Sequence, residues 1–196
     1  SFNPEFSNVP DIQSLIKSAK DAAVEYSISP RGWLILVGPH GSGKTHLSAS
    51  IANQCIHNGH VAIYIDVPDL MDNLRSTFAP DSGYSYSEMF DRVRNTPLLI
   101  LDDLGSAYTT PWTLEKLQQI LNHRFNAELP TVIATSQELS SLDPYIRSRI
   151  KAKPLSKIIR LKPSDIGFGL GTIPKDLQDR MTLDSFSIEA GLNSKE

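Results

Sequence analysis

The stretch Trp33–Leu47 reads WLILVGPHGSGKTHL. Its apolar start, Trp33 to Val37, predicts a short buried strand. A glycine-rich turn and the start of a helix follow. Gly38-Pro39-His40-Gly41-Ser42-Gly43-Lys44-Thr45 fits G-x-x-x-x-G-K-[ST], the phosphate-loop pattern. A polyphosphate needs several backbone N–H donors converging on it and a positive charge close by. Gly38, Gly41 and Gly43 are expected to let the backbone turn through conformations that a Cβ forbids. The N–H groups then form a nest at the positive end of the next helix. Lys44 is placed to reach the β- and γ-phosphates, and Thr45 to offer its hydroxyl to Mg²⁺.

The chain has 196 residues, enough for one α/β domain that buries about 70% of its unfolded surface. Its net charge of -3 argues against a protein that chiefly coats nucleic acid. The single cysteine, Cys55, can form no internal disulfide and sits among apolar residues as a small core side chain. That usage predicts a reducing, cytoplasmic compartment. No apolar run approaches the ~18 residues that span a bilayer, so no membrane association is expected. The chain starts at Ser1 rather than Met, and further residues are expected before it.

Moving outward from the loop, strands and helices alternate. Ser1 to Pro10 predicts an extended lead-in, and Asp11 to Tyr26 a helix with Ile12, Leu15, Ile16, Ala19, Ala22 and Ala23 at helical spacing. After the loop a helix runs to His57, with Leu47, Ile51, Ala52, Cys55 and Ile56 as its buried face and Gly59 as a left-handed cap. His60–Asp66 predicts a second buried strand, Val67–Phe78 a helix, Ala79–Tyr86 a loop and Ser87–Arg94 a short helix. Pro97–Gly105, PLLILDDLG, predicts the third strand. Thr110–Asn126 predicts a helix with Thr110 as N-cap and Pro111 in its first turn. Thr131–Thr135 and Ser156–Leu161 predict the fourth and fifth strands, with a helical or turn region over Leu139–Ile150 between them. This alternation predicts an α/β three-layer sandwich with a mostly parallel five-stranded sheet, of the P-loop NTPase kind. Ligands of such sheets bind at the carboxyl ends of the strands.

Two aspartates follow the apolar Leu98 to Leu101. Asp102, at the end of a buried strand, suits holding Mg²⁺ through water, an ion that keeps its hydration shell. Asp103 is positioned to orient or activate the attacking water. At the end of the fourth strand, Gln137, and after it Ser136, are the polar groups expected to reach the γ-phosphate or that water. Arg147 to Lys162 carries seven cationic residues and no acidic one. Within it, Arg149 is the choice for an arginine finger acting on a neighbouring subunit. Contact with a nucleic-acid backbone and a solvated basic edge are the other readings of this run. The five histidines show no metal-ligand spacing and are assigned no catalytic role. Trp33 and Trp112 are expected to pack.

GPHGSGKTHL, LLILDDLG, TVIATSQ and IRSRI, in that order, resemble the AAA+ ATPases of the DnaC/DnaI helicase-loader group and the related IstB transposition helpers. The resemblance runs from about Phe2 to Lys162. It implies Walker A roles for Lys44 and Thr45, the Mg²⁺ role for Asp102, sensor 1 for Gln137 or Ser136, and the box VII finger for Arg149. Asp103 stands where many AAA+ proteins carry glutamate, which implies slow hydrolysis. Such loaders bind ATP, self-associate, dock on a replicative DNA helicase and help place it on single-stranded DNA. The helicase-binding part that the family sets ahead of its ATPase module is not in this chain. Residues 1–162 are therefore expected to form the AAA+ core, with little or no lid domain. Residues 163–196 are expected to be a C-terminal tail, in which MTLDSF resembles the lead-in SFNPEF at Ser1; the start of a second module, a rearranged end and a short docking tail are its readings. Arg180 is the tail's one arginine for a sensor 2 role.

Overall fold

The computed structural model describes residues 9–78, 85–105 and 110–162, with side chains from residue 17 onward. The expected lead-in before Val9, most of the loop before Tyr86, the tail from residue 163 and Arg180 lie outside the described residues. In chain order the elements are α1 (Val9–Ile28), β1 (Trp33–Val37), α2 (Lys44–His57), β2 (Ala62–Asp66), α3 (Val67–Ser76) and α4 (Tyr86–Asn95). They continue with β3 (Leu98–Asp102), α5 (Pro111–Asn126), β4 (Thr131–Thr135), α6 (Pro144–Ile150) and β5 (Ser156–Arg160).

The strands form one sheet in the order β2-β3-β4-β1-β5, and every pairing is parallel. Parallel neighbours need a crossover, and here helices supply it, so both sheet faces are covered. Side-chain alternation then divides the core. Leu34, Leu36, Leu98, Ile100, Val132 and Ala134 face α1 and α2. Trp33, Ile35, Val37, Leu99, Leu101 and Ile133 face the α3–α6 side. The three central strands are buried at every position, which is why their sequences are continuous apolar runs rather than alternating ones. Each such Leu, Ile or Val contributes about 1.5–3 kcal/mol of burial.

Local signals set the element ends. Thr110 caps α5 by accepting from the Thr113 N–H, and Pro111 opens the helix. Ser85 and Glu88 form a reciprocal capping box at the start of α4. Gly59, at φ 84°, lets α2 end in a Schellman turn. In it His60 N–H donates to Cys55 O and Gly59 N–H to Ile56 O, both at 2.9 Å. Cys55 is fully buried, and burial pushes its thiol up to about 11, which suits a core residue.

Two expectations need correction. β2 is half-buried, because it is an outer strand that pairs only with β3 among the described strands. Its apolar composition matches a buried strand, and only the strand order puts it at the edge. Ile56 is 55% exposed rather than part of the α2 core face, because it lies in the last turn of that helix, where the buried side is carried by Cys55. Trp33 is buried as expected, while Trp112 is partly buried against the α3–α6 core.

Arg124 is a buried cation that the sequence did not flag. Its guanidinium donates to Thr131 Oγ1 (2.9 Å) and to the carbonyls of Arg94 (3.1 Å) and Thr96 (2.8 Å), tying α5 to the start of β4 and the end of α4. Burial lowers its pKa to about 10.

Candidate functional site

β1, paired with β4 on one side and β5 on the other, ends at Val37, and the loop from Gly38 turns directly into α2. The glycines act for different reasons. Gly41 and Gly43 have φ of 77° and 86°, the left-handed region expected for them. Gly38 does not need positive φ, contrary to the sequence expectation. It is required by close approach, because a Cβ there would lie 2.5 Å from Leu161 O and 2.7 Å from Ser42 Oγ. Gly43 caps α2 without any side-chain hydrogen bond, and no acidic residue sits in the first turn. The positive end of a 14-residue helix therefore faces the loop without a side-chain anion of its own.

Lys44 is 8% exposed, and its Nζ donates to Pro39 O at 2.8 Å. Burial lowers its pKa, and the charges of Asp102 and Asp103 oppose that shift. The loop and the aspartate pair thus lie within electrostatic reach of each other although β4 separates their strands. Ser42 Oγ is buried and lacks a hydrogen-bond partner in the protein. An inward hydroxyl without a partner, a lysine folded onto its own loop and a helix end without a side-chain cap suit an anionic phosphate chain. Thr45 lies in the first turn of the same helix and is half-buried.

Asp102 closes β3 and is 2% exposed. Both carboxylate oxygens are engaged: Oδ2 accepts from the Tyr64 hydroxyl and Oδ1 from the Asp103 N–H, each at 2.8 Å. A carboxylate has about four lone-pair positions, so room remains for a metal-bound water. Asp103 adopts φ 53°, a left-handed conformation that aspartate tolerates better than most residues. That turn sends Leu104 back into the core, where its N–H donates to Ala134 O at 2.8 Å. Among the described residues no three His, Cys, Asp or Glu side chains form a metal cage. The residues here fit Mg²⁺ instead, which takes one or two carboxylates, water and ligand phosphates.

The end of β4 braces this turn. Thr135 Oγ1 donates to Leu104 O at 2.6 Å, and Gln137 Nε2 donates to Gly105 O at 2.8 Å. Gly105 has φ 110°, and a Cβ on it would meet Gln137 at 2.7 Å. Gln137 therefore holds the DDLG turn in this structure, while Ser136 beside it is half-buried. Arg149 is placed elsewhere. Its guanidinium lies 4.6 Å from the Phe125 ring centroid and 5.0 Å from that of Tyr145, and donates to Asn122 Oδ1 at 3.0 Å. These partners lie on α5 and α6, and none belongs to the phosphate loop.

The sequence reading missed three contributors. Tyr64 lies on β2 and reaches Asp102 across the β2–β3 pair, a contact that depends on register. Asp66 ends β2 opposite Asp102. Burial, then the charges of Asp102, Asp69 and Asp103, push its carboxyl up to about 6. Asn122 holds Arg149 from one helix turn before Phe125. Only Asp66 left a sequence signal, as an acid at a strand's carboxyl end.

In Escherichia coli strain K12, the replicative helicase loader DnaC is 28% identical over 116 residues, which is 59% of this chain and 47% of that protein. In Bacillus subtilis strain 168, the replicative helicase loader DnaI is 27% identical over 129 residues, which is 65% of this chain and 40% of that protein. The chain thus spans about half the length of the curated relatives it matches. A crystal structure of the DnaC helicase loader superposes at TM-score 0.63 and 22% identity, covering 82% of this chain and 94% of that one, a likeness of fold. The sheet is that of a P-loop AAA+ domain. The family profile described as IstB-like ATP binding protein matches residues 6–146. Because that match takes in most of the chain and runs through the phosphate loop, the aspartate pair and the end of β4, the chain belongs to the IstB-like ATP-binding protein family.

Proposed function

We propose that this chain binds Mg²⁺–ATP at Gly38–Thr45, hydrolyses it slowly, and uses the cycle to place a replicative DNA helicase on single-stranded DNA. The observation that carries the reading is the buried Lys44, in the loop after β1, under the influence of Asp102 and Asp103 at the end of β3, one strand away. The loop N–H groups and Lys44 hold the β- and γ-phosphates. Thr45 and Asp102 hold the metal, which when bound neutralises charge on the phosphates. Asp103 orients the attacking water, with Ser136 and Gln137 keeping the turn and the phosphate end in register. Arg149, clamped on the α5–α6 surface, serves the site of a neighbouring molecule, so self-association and turnover are linked. Residues 1–162 constitute the ATPase core, and 163–196 its C-terminal tail.

The helicase partner is taken from the relatives' names, replicative helicase loader DnaC and DnaI. The family profile favours a second reading, an IstB-like transposition helper. Phosphate release measured with helicase and single-stranded DNA tests the enzyme. Lys44→Ala is expected to lose ATP binding, and Asp103→Asn to keep binding but lose turnover by about a hundredfold or more. Background turnover in the wild type under those conditions would leave a nucleotide-dependent binding switch. Capture of a replicative helicase, against capture of a transposase, separates the two partner readings.

A further inference from the structure

Away from the nucleotide site, a groove of about 950 Å³ runs along the outer edge of β5. β5 pairs only with β1 among the described strands, so its far edge offers N–H and C=O groups that no described strand takes. Residues 157–160 of β5 line the groove in unbroken succession, which means that it wraps the strand edge rather than one sheet face. One wall is α1, with Lys17, Asp21 and Glu25. The other wall carries Leu139, Lys151 and Lys153.

The charge of this groove opposes that of the whole chain. Five cationic side chains line it against two acidic ones, while the chain carries -3 overall. Lys157 pairs with Glu25 at 3.0 Å and Arg160 with Glu138 at 3.4 Å, but all four side chains are more than half exposed. Exposed pairs of this kind contribute little and exchange readily for another carboxylate. Ile158, 39% exposed, adds apolar surface between the cations. Among the described residues no aromatic side chain lines the groove, so they offer no platform on which unpaired bases stack.

The geometry points to a docking site for an extended, acidic segment of a partner protein, which adds to β5 as a sixth strand. Its backbone would complete the edge, its carboxylates would meet Lys151, Lys153 and Lys157, and its alternate apolar side chains would cover Ile158. Lysines along an edge also discourage indiscriminate pairing, which here selects for a strand that brings carboxylates. This inference does not depend on the nucleotide reading.

The test uses the whole chain and a labelled peptide of about ten residues alternating Glu and Val. Anisotropy reports binding, and hydrogen exchange reports protection of amides 156–160. The expected result is saturable binding that weakens about tenfold or more at high salt and with Lys151→Glu/Lys153→Glu, together with new protection confined to the β5 edge. Those lysines are exposed and outside the nucleotide site, so ATP binding serves as the folding control. No binding, equal binding of a Lys–Val peptide, or equal binding of a backbone N-methylated Glu–Val peptide would overturn the proposal. So would full protection of the β5 edge amides in the free chain. Stronger protection by a deoxythymidine decamer would overturn it in favour of a nucleic-acid surface.

Discussion

Removing one oxygen atom from Tyr64 tests how Asp102 is held. In Tyr64→Phe the ring still packs against the α1–α2 core, so no cavity cost arises. What is lost is a 2.8 Å hydrogen bond to a carboxylate that is 2% exposed. Hydrogen bonds to charged groups contribute about 1.5–3 kcal/mol, and a buried oxygen that loses its donor keeps its desolvation cost. A loss of about 2 kcal/mol is expected, which lowers Tm by about 4–8 °C for a domain of this size. Urea denaturation without nucleotide measures it, with an unchanged slope as the sign of two-state comparison. A double-mutant cycle with Asp102→Ala isolates the pair and should return a coupling of about 1–2 kcal/mol. Titration of a fluorescent ATP analogue adds a functional readout. Affinity without Mg²⁺ should stay at the wild-type value, while the gain on adding Mg²⁺ shrinks, because Asp102 is then free to turn away from the metal. Wild-type stability in Tyr64→Phe, with a coupling below about 0.5 kcal/mol, would refute the reasoning.

Three further outcomes follow from the geometry. Gly38→Ala must push the loop from Leu161, at a cost of about 1–3 kcal/mol and at least a tenfold loss of ATP affinity; a urea melt and a nucleotide titration check both. Asp66 has a folded-state carboxyl pKa above its unfolded value, so the folded state binds that proton more tightly and stability falls as pH rises from about 4 to about 6. Asp66→Asn, measured without divalent cations, should flatten that slope and raise stability at neutral pH; an unchanged slope counts against it. Arg149→Ala should leave ATP affinity of the single chain intact and cut turnover of the assembled protein by about 10³. A fall in single-chain affinity would instead place Arg149 at its own site.

Much of this molecule is written locally. The phosphate loop, the apolar run before Asp102, the Thr110–Pro111 helix start and the Gly59 cap are each decided within a few residues. The forces that set them, glycine dihedrals, capping hydrogen bonds and side-chain periodicity, act over that range. All five strands were therefore recognisable, and the parallel sheet followed from their alternation with helices.

What the sequence by itself determined is an α/β phosphate-loop protein with its polar groups at strand carboxyl ends. Only the tertiary structure decided who touches whom. Among the described strands, the order put β2 and β5 at the edges, although HVAIYID reads like a central strand. Register brought Tyr64 to Asp102, and the close pass of Leu161 made Gly38 obligatory. The approach of β4 to β3 turned Gln137 into a brace for Gly105, and the packing of α6 on α5 enclosed Arg149 between Phe125 and Tyr145. Apart from the Tyr145–Arg149 pair within α6, each of these contacts joins residues that are distant in the chain, and periodicity carries no information about such pairs. Their geometry is fixed only when the sheet and its two helical layers close on one another.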